Sequence, residues 1–230
     1  MSEKRLVWDL PLRLFHWLLV LCICGSYATA KAGFNWTTTH FWIGYTTLGL
    51  VAFRIIWGFV GPRHARFSSF VVGPSSVIAY LRTLFKRDSP PTLGHNPLGG
   101  LVVILMLLML GAQATAGLFL IDNTEVWTAP YYPAVSAATS SALGKFHHLN
   151  FDVLFWVICL HVLAIIYYKV FKRQSLVMPM ITGRKSAHLV PSHHAIENSQ
   201  LLKALIVAVL CAGAVYWLVA AAPPPPEIGY

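Results

Sequence analysis

Residues 147–161 read HHLNFDVLFWVICLH, an apolar run that begins and ends with histidine. In an apolar environment an imidazole needs partners for its polar ring nitrogens, so these positions require an explanation. His147 and His161 are fourteen residues apart. On an α-helix that spacing returns to within about 40° of the starting face after a rise of about 21 Å. One helix therefore presents two ligand-capable side chains on one stripe, at two depths.

The composition of the 230-residue chain is that of an integral membrane protein. Hydrophobic residues make up 57% and charged residues 11%, and the mean hydropathy is +0.63. A soluble domain cannot bury that much apolar surface. The net charge of +9 is spread between the apolar runs instead of forming one basic patch, so we expect no nucleic-acid partner.

The four cysteines also lie inside apolar runs: Cys22, Cys24, Cys159 and Cys211. The sequence contains no CxxC or CxxCH motif, so we expect neither covalently attached c-type haem nor a thiolate zinc site. We expect free thiols instead of disulfides, because small buried thiols are common in such helices.

Five apolar runs are long enough to cross a bilayer, at roughly 12–30, 40–60, 97–121, 146–170 and 203–222. If the N-terminus is cytoplasmic, fifteen of the seventeen Lys and Arg residues lie in inner segments, and only Lys31 and Lys145 lie in outer ones. This excess predicts a multi-pass membrane protein with a cytoplasmic N-terminus and a C-terminus on the outer side, which in a bacterium means the inner membrane and the periplasm.

Both ends of the chain carry recognisable patterns. The first run resembles a signal peptide, with Lys4 and Arg5 before it and the small residues 28–30 after it, but we expect it to be retained as a span. The tail AAPPPPEIGY, residues 221–230, predicts a stiff polyproline stub.

The segment between the second and third spans divides into two parts. GPSSVIAYLRTLFKR, residues 73–87, predicts a short amphipathic helix on the inner membrane surface, capped by Ser75 or Ser76. DSPPTLGHNPLGG, residues 88–100, predicts a turn-rich entry into the third span.

Four histidines lie in or at the ends of the spans. Matching their depths pairs His40 with His147, the outer pair, and His16 with His161, the inner pair. Two imidazoles leave a tetrahedral zinc site half empty, but they complete the six-coordinate iron of a haem whose porphyrin supplies four nitrogens. We therefore predict two haem b groups with these histidines as axial ligands to iron.

Alternatives remain open for each histidine taken alone, because a membrane histidine is commonly a hydrogen-bond partner between helices. His148 lies about 140° from the stripe of His161, so we expect a local pair with Asp152 instead. Gly44, one turn after His40, leaves room for a porphyrin edge. Histidines of the linker before the fifth span are expected to be solvent-exposed: His188, His193 and His194.

Two arginines are candidates for binding a haem propionate at the inner pair. Arg54 shares a helix face with His40 but lies fourteen residues further along, near the inner side, and Arg13 lies close to His16. The alternative for Arg54 is a side chain that extends to the lipid headgroups, about 9 Å away.

Several stretches in chain order resemble bacterial cytochrome b561-type proteins, a group that includes the b-type subunits of nickel-iron hydrogenases and formate dehydrogenases. They are LPLRLFHW (10–17), HFWIGYTTLGLVAFRIIWGFVGPRHARF (40–67), LGHNPLGG (93–100), the fourteen-residue histidine pair and MPMITGRK (178–185). The likeness covers residues 6 to 185.

The resemblance implies an all-α membrane fold in which a four-helix transmembrane bundle holds two b haems. It places the ligands at His16, His40, His147 and His161, the same set that depth and helical phase give. We expect a haem domain over residues 1–185, and a linker, a fifth transmembrane helix and a periplasmic tail over 186–230. Because the fifth helix lacks histidine, we expect it to pack outside the bundle or against a partner.

The resemblance also implies a quinone site near the inner haem, at a polar turn that opens the third span. Asn96 matches that turn, with His95 beside it. His95 or His64 is then a candidate to hydrogen-bond a quinone carbonyl or to relay its protons. The alternative is that either histidine only holds the loop against headgroups.

The expected function is respiratory electron transport between the quinone pool and a periplasmic redox partner, either a c-type cytochrome or a dehydrogenase or hydrogenase subunit. Such a protein is an electron-transfer subunit or quinone oxidoreductase, not a hydrolase or transferase. Outer charges predict a mildly acidic face that steers a basic cytochrome: Asp122, Glu125, Asp152 and Glu227, with Lys145.

Two other functions stay open. One is direct oxidation of a small reductant such as superoxide, with quinone as acceptor. The other is a non-redox membrane protein whose histidines bind a transition metal or carry protons. The sequence leaves the oligomeric state open.

Overall fold

The computed structural model describes residues 3–87, 92–121 and 128–224. In chain order its helices are α1 (Leu10–Ala32), α2 (Thr37–Val60), α3 (Pro74–Leu81), α4 (Pro97–Gly117), α5 (Ala137–Val170), α6 (Val177–Thr182) and α7 (Leu201–Ala220). Within the described residues, all of these except α3 and α6 are long and apolar enough to cross a membrane. The predicted all-α membrane fold with five spans is confirmed.

Helix α5 is longer than its predicted span. It starts at Ala137 instead of at 146, because residues 137–145 (AATSSALGK) are helical but too polar to be recognised in the sequence as membrane-spanning. The hydroxyl of Ser136 accepts the Thr139 amide N–H at 3.2 Å and caps the helix. The resulting helix carries one histidine of each predicted pair.

Side-chain caps also fix where α1 and α4 begin. Asp9 Oδ1 accepts the Leu12 amide N–H at 2.9 Å. Asn96 Oδ1 accepts the Gly99 amide N–H at 2.7 Å. Each bond satisfies one of the amide groups that a helix start leaves without an intrahelical partner.

Helix α3 ends earlier than predicted and begins differently. It covers Pro74–Leu81, not 73–87, and continues only as turns. Gly73 is the N-cap and no side chain caps the helix, so the predicted cap by Ser75 or Ser76 is wrong. Pro74 takes the first helical position, which suits its fixed φ and missing N–H, and this moves the cap to Gly73. Residues 88–91 of the predicted entry turn lie outside the described residues.

Two short strands, which the sequence analysis did not predict, join the N-terminus to the linker after α6. β1 (Lys4–Leu6) pairs antiparallel with β2 (Arg184–Ser186), with Leu6 opposite Arg184. Next to them the Gly183 carbonyl accepts the amide N–H groups of Val7 and Trp8 at 2.9 and 3.0 Å. Gly183 has φ +79°, and a Cβ there would lie 2.6 Å from the Trp8 carbonyl oxygen, so this position requires glycine.

The chain forms two compact units. Of the described residues, the first unit contains those within 1–16, 54–106 and 156–207, and the second contains those within 17–53, 107–155 and 208–230. The inner pair, His16 and His161, belongs to the first unit, and the outer pair, His40 and His147, belongs to the second.

Helix α7 packs through one stripe and leaves large apolar side chains exposed on its other faces. Its buried residues are Ala204, Val207 and Cys211. In the first unit Lys203 donates to the Val60 carbonyl at 3.3 Å, and in the second unit the Tyr131 hydroxyl donates to the Leu218 carbonyl at 2.8 Å. Residues 225–230 of the predicted polyproline tail lie outside the described residues.

Candidate haem sites

The side chain of His40, in α2, is oriented by the end of α1. Its Nδ1 lies 3.1 Å from the Ser26 carbonyl oxygen and 3.1 Å from the Thr29 hydroxyl. Thr29 in turn donates to the Gly25 carbonyl at 2.8 Å, so it can only accept from His40. Because a carbonyl is an acceptor only, Nδ1 carries the hydrogen and the Nε2 lone pair is free to coordinate a metal.

His147, in α5, is oriented in the same way by a different helix. Its Nδ1 lies 3.1 Å from the Gln113 carbonyl oxygen of α4. The same argument leaves its Nε2 lone pair free. His40 and His147 are close enough that a charge on one acts on the other. Both side chains thus have the tautomer that bis-histidine haem ligation requires, and they lie within electrostatic range of each other.

The histidines of the inner pair also lie close enough to interact electrostatically. They come from α1 and α5. In the part of the chain that the structure describes, no group of three or more His, Cys, Asp or Glu side chains is arranged to hold a metal ion.

Arg54 is a buried cation in the same unit as the inner pair. It is 2% exposed, and within the described ranges neither Nη1 nor Nη2 has a hydrogen-bond partner. Its guanidinium lies 4.8 Å from the ring centroid of Phe67 and 5.9 Å from that of Phe70. A buried cation is costly unless an anion lies near it; Asp9 is an electrostatic neighbour of Arg54, and a haem propionate would supply a second anion.

Asp9 is a buried carboxylate of the first unit that sequence reasoning missed. Besides capping α1, its Oδ1 accepts the Trp57 indole N–H at 3.0 Å, and both residues have no exposed surface. Oδ2 has no partner among the described residues. Burial raises the pKa of Asp9, and the neighbouring Arg54 opposes the rise. Its position seven residues before His16, on the same helix face, was the available indication.

The predicted quinone turn is built around Asn96. Its Oδ1 is used in the α4 cap, and its Nδ2 donates to the Tyr168 hydroxyl at 3.0 Å. The Tyr168 hydroxyl also pairs with that of Tyr80, which ties α3 to α5. Both polar atoms of Asn96 therefore have protein partners, and neither tyrosine was predicted.

His95 is the histidine of this turn with an unused ring nitrogen. Its ring lies against Trp8 at 4.8 Å and Phe70 at 4.5 Å between centroids, and its buried Nδ1 has no partner within the described part of the chain. Burial, followed by the nearby cations of Arg54 and Lys185, lowers the pKa of His95 to about 3. His95 is therefore neutral at physiological pH.

His64, in contrast, has a structural partner. Its Nε2 donates to the His194 carbonyl at 2.8 Å and so anchors the linker between α6 and α7. His188 and His193 are exposed as expected, whereas His194 is half-buried.

Lys185 donates to the carbonyls of Thr92 and Leu93 at 2.9 and 2.8 Å, and burial lowers the pKa of Lys185 to about 8.

The family model of prokaryotic cytochrome b561 matches residues 7–183, more than three quarters of the chain. The chain belongs to this family. It is similar to proteins described as "Probable Ni/Fe-hydrogenase B-type cytochrome subunit". The one from Azotobacter vinelandii is 28% identical over 216 residues, covering 77% of this chain and 86% of the relative. The one from Rhizobium leguminosarum bv. viciae is 25% identical over 209 residues, covering 78% and 87%. No solved structure matches the chain.

Membership confirms the resemblance that the sequence motifs indicated. As a b-type cytochrome the protein binds haem b and transfers electrons in the membrane. Five apolar helices agree with that role.

Two side chains of this cytochrome have surroundings that differ from expectation. Arg13, a candidate for a propionate, donates to the Ile181 carbonyl of α6, although its Nε is buried without a partner among the described residues.

No ion pair joins His148 to Asp152 within the described ranges, so that predicted pair is wrong. The His148 ring stands edge-on to His147 at 6.1 Å. Of the predicted acidic face, Asp122, Glu125 and Glu227 lie outside the described residues.

Proposed function

We propose that this cytochrome carries two b haems and transfers electrons between the quinone pool and a periplasmic redox partner. The observation that carries the proposal is that each compact unit holds one of the predicted histidine pairs, whose two members lie within electrostatic range of each other, and that α5 supplies one histidine to each pair. We further propose the inner membrane as its location, with a cytoplasmic N-terminus, a periplasmic C-terminus and a haem domain over residues 1–185.

The chain's own groups hold and orient the cofactors. His40 and His147 ligate the outer haem through Nε2, with Nδ1–H bonded to the carbonyls of Ser26 and Gln113. His16 and His161 ligate the inner haem, and Arg54 neutralises a propionate there; Arg13 is second to Arg54 because it already bonds a backbone carbonyl. A bound haem supplies a one-electron iron couple.

At the quinone site, the hydrogen bonds favour His95 over the other candidates. Asn96 and His64 are engaged in the α4 cap and the linker anchor, so we assign them to shaping the turn. The neutral His95 has an Nδ1 without a partner among the described residues; in one tautomer it accepts a hydrogen bond from a quinol hydroxyl, and in the other it donates one to a quinone carbonyl. It acts near Arg54 and His161, which are its electrostatic neighbours.

The names of the relatives indicate the class of partner. Each is described as a hydrogenase cytochrome subunit. We propose a hydrogenase-type redox subunit as the electron donor, with a c-type cytochrome as the alternative partner.

A haem count per chain tests the proposal. Wild-type protein should give about two b haems by pyridine haemochrome and a reduced-minus-oxidised b-type spectrum. His161→Ala and His147→Ala should each lower the count to about one, because each removes a ligand from a different site. His148→Ala is the matched control on the same helix and should keep both haems.

A colourless wild-type protein expressed with ample haem would overturn the proposal and leave metal or proton handling as the function. Steady turnover with superoxide and quinone alone would support direct oxidation of a small reductant in place of a protein partner.

A further inference from the structure

Three hydrogen bonds join α4 to α5 around one predicted ligand of the outer haem. The His147 Nδ1 lies 3.1 Å from the Gln113 carbonyl oxygen. One turn along α5, Asn150 Nδ2 donates to the Gln113 side-chain Oε1 at 2.7 Å and to the Met109 carbonyl at 3.1 Å. Gln113 thus faces α5 with both its main-chain and its side-chain oxygen.

The orientation of the Asn150 amide follows from its partners. The Met109 carbonyl can only accept, so the nearby atom of Asn150 is the NH₂ group, and the atom of Gln113 that meets it is the oxygen. Asn150 is 9% exposed. In apolar surroundings these bonds fix the rotation and height of α4 against α5, because breaking them leaves polar groups unpaired.

We propose that Asn150 is a positioning residue for the outer haem, and that it holds Gln113 so that the main-chain carbonyl of Gln113 fixes the tautomer and ring plane of His147. This inference rests on the proposed haem ligation by His147. Asn150 lies three residues after His147 on the same helix face, so both side chains contact the same turn of α4.

The bond to Nδ1 affects the electronic properties of the ligand as well as its position. A carbonyl that accepts from Nδ1–H makes the imidazole more basic, and a more basic ligand favours oxidised iron. When this hydrogen bond lengthens, the reduced iron becomes more stable relative to the oxidised iron, and the reduction potential rises. His40 is oriented by Ser26 and Thr29 of α1, which this clamp does not touch.

The experiment is a potentiometric titration with low-temperature EPR of the haem-loaded protein carrying Asn150→Leu, which keeps the branched shape and the number of heavy atoms of the side chain but removes the donor. We expect the outer haem's reduction equilibrium to shift about tenfold toward the reduced form, equivalent to about +59 mV for a one-electron couple. We also expect its EPR g-values to move, while the inner haem keeps both properties.

Two further variants keep the proposal testable if Asn150→Leu does not retain haem. Gln113→Leu removes the same clamp from the opposite helix. We expect a smaller shift in potential of the same sign, because Asn150 keeps its hydrogen bond to the Met109 carbonyl. Asn150→Gln restores an amide donor, and we expect values near those of the wild type.

An unchanged outer potential and EPR spectrum in Asn150→Leu, with only lower thermal stability, would overturn the proposal because Asn150 would then only join helices. Equal shifts in the reduction potentials of both haems would also overturn the proposal, because they would indicate a general loosening of the helix packing. Failure of the haem ligation itself is distinguishable, since the wild-type protein would then lack a second titrating component.

Discussion

Replacing Asp9 tests how the start of α1 is held next to the inner pair. Asp9→Ala removes the cap on the Leu12 amide, which costs about 1 kcal/mol. It also removes the hydrogen bond that the fully buried Trp57 indole N–H donates to Oδ1, and the loss of a bond to a carboxylate costs about 1.5–3 kcal/mol. Removing the buried carboxylate, whose Oδ2 has no partner among the described residues, offsets part of this cost. We expect a net loss of about 2 kcal/mol.

Asp9→Asn separates the charge from the hydrogen bonds, because the amide keeps an oxygen for Leu12 and Trp57. For a chain of this length about 2 kcal/mol corresponds to a fall in Tm of roughly 4–8 °C. We expect that fall in Asp9→Ala and a change of about 1 °C in Asp9→Asn. Thermal unfolding in detergent, followed by haem absorbance at pH 7, measures both.

Asp152→Ala is the matched control, because Asp152 is exposed and should leave Tm unchanged. Burial raises the pKa of folded Asp9, so the wild type loses stability as pH rises above the unfolded value of about 3.8. Asp9→Asn removes this loss, so the stability of the variant relative to the wild type should increase as the pH rises above that value. Equal falls in Tm for the Ala and Asn variants would refute the role of the hydrogen bonds.

Two further changes probe the same unit. Burial lowers the pKa of His95 to about 3, below its usual 6.5, so the stability of the folded protein should fall as the pH decreases from about 6.5 toward 3. Unfolding measured as a function of pH should show a smaller fall in His95→Gln. Arg54→Gln should lower the potential of the inner haem by about 70 mV in a redox titration, because a unit charge about 10 Å away at an effective dielectric of about 20 contributes about 1.7 kcal/mol. An unchanged potential would contradict the placement of Arg54 at a propionate.

The spans were predictable because hydropathy and length depend on local sequence alone. The polar start of α5 was not, since residues 137–145 become helical without being apolar. The pairing of β1 with β2 could not be predicted either. Each strand has three residues, too few for a period-two pattern, and their partners lie about 180 positions apart in the sequence.

Depth and helical phase predict the histidine pairs, and the members of each pair lie in one compact unit, but the groups that support them could not be predicted. Asn150 and Gln113 act through a contact between two helices, and a sequence does not show which turn of α4 faces which turn of α5. Asp9 was overlooked for the same reason, because its second partner, Trp57, lies in α2. Spacing from a ligand, three residues for Asn150 and seven for Asp9, was the only local indication.

The two histidine pairs have different chemical surroundings, and this difference makes the experiments informative about each other. Neutral carbonyl acceptors orient the outer pair, whereas the buried Arg54 cation lies in the unit of the inner pair. Arg54→Gln acts by charge and Asn150→Leu acts through ligand orientation, so each should move a different component of one titration. If a single haem served both functions, both variants would move the same component. Opposite responses of two components therefore test the number of haems and their assignment to the pairs together.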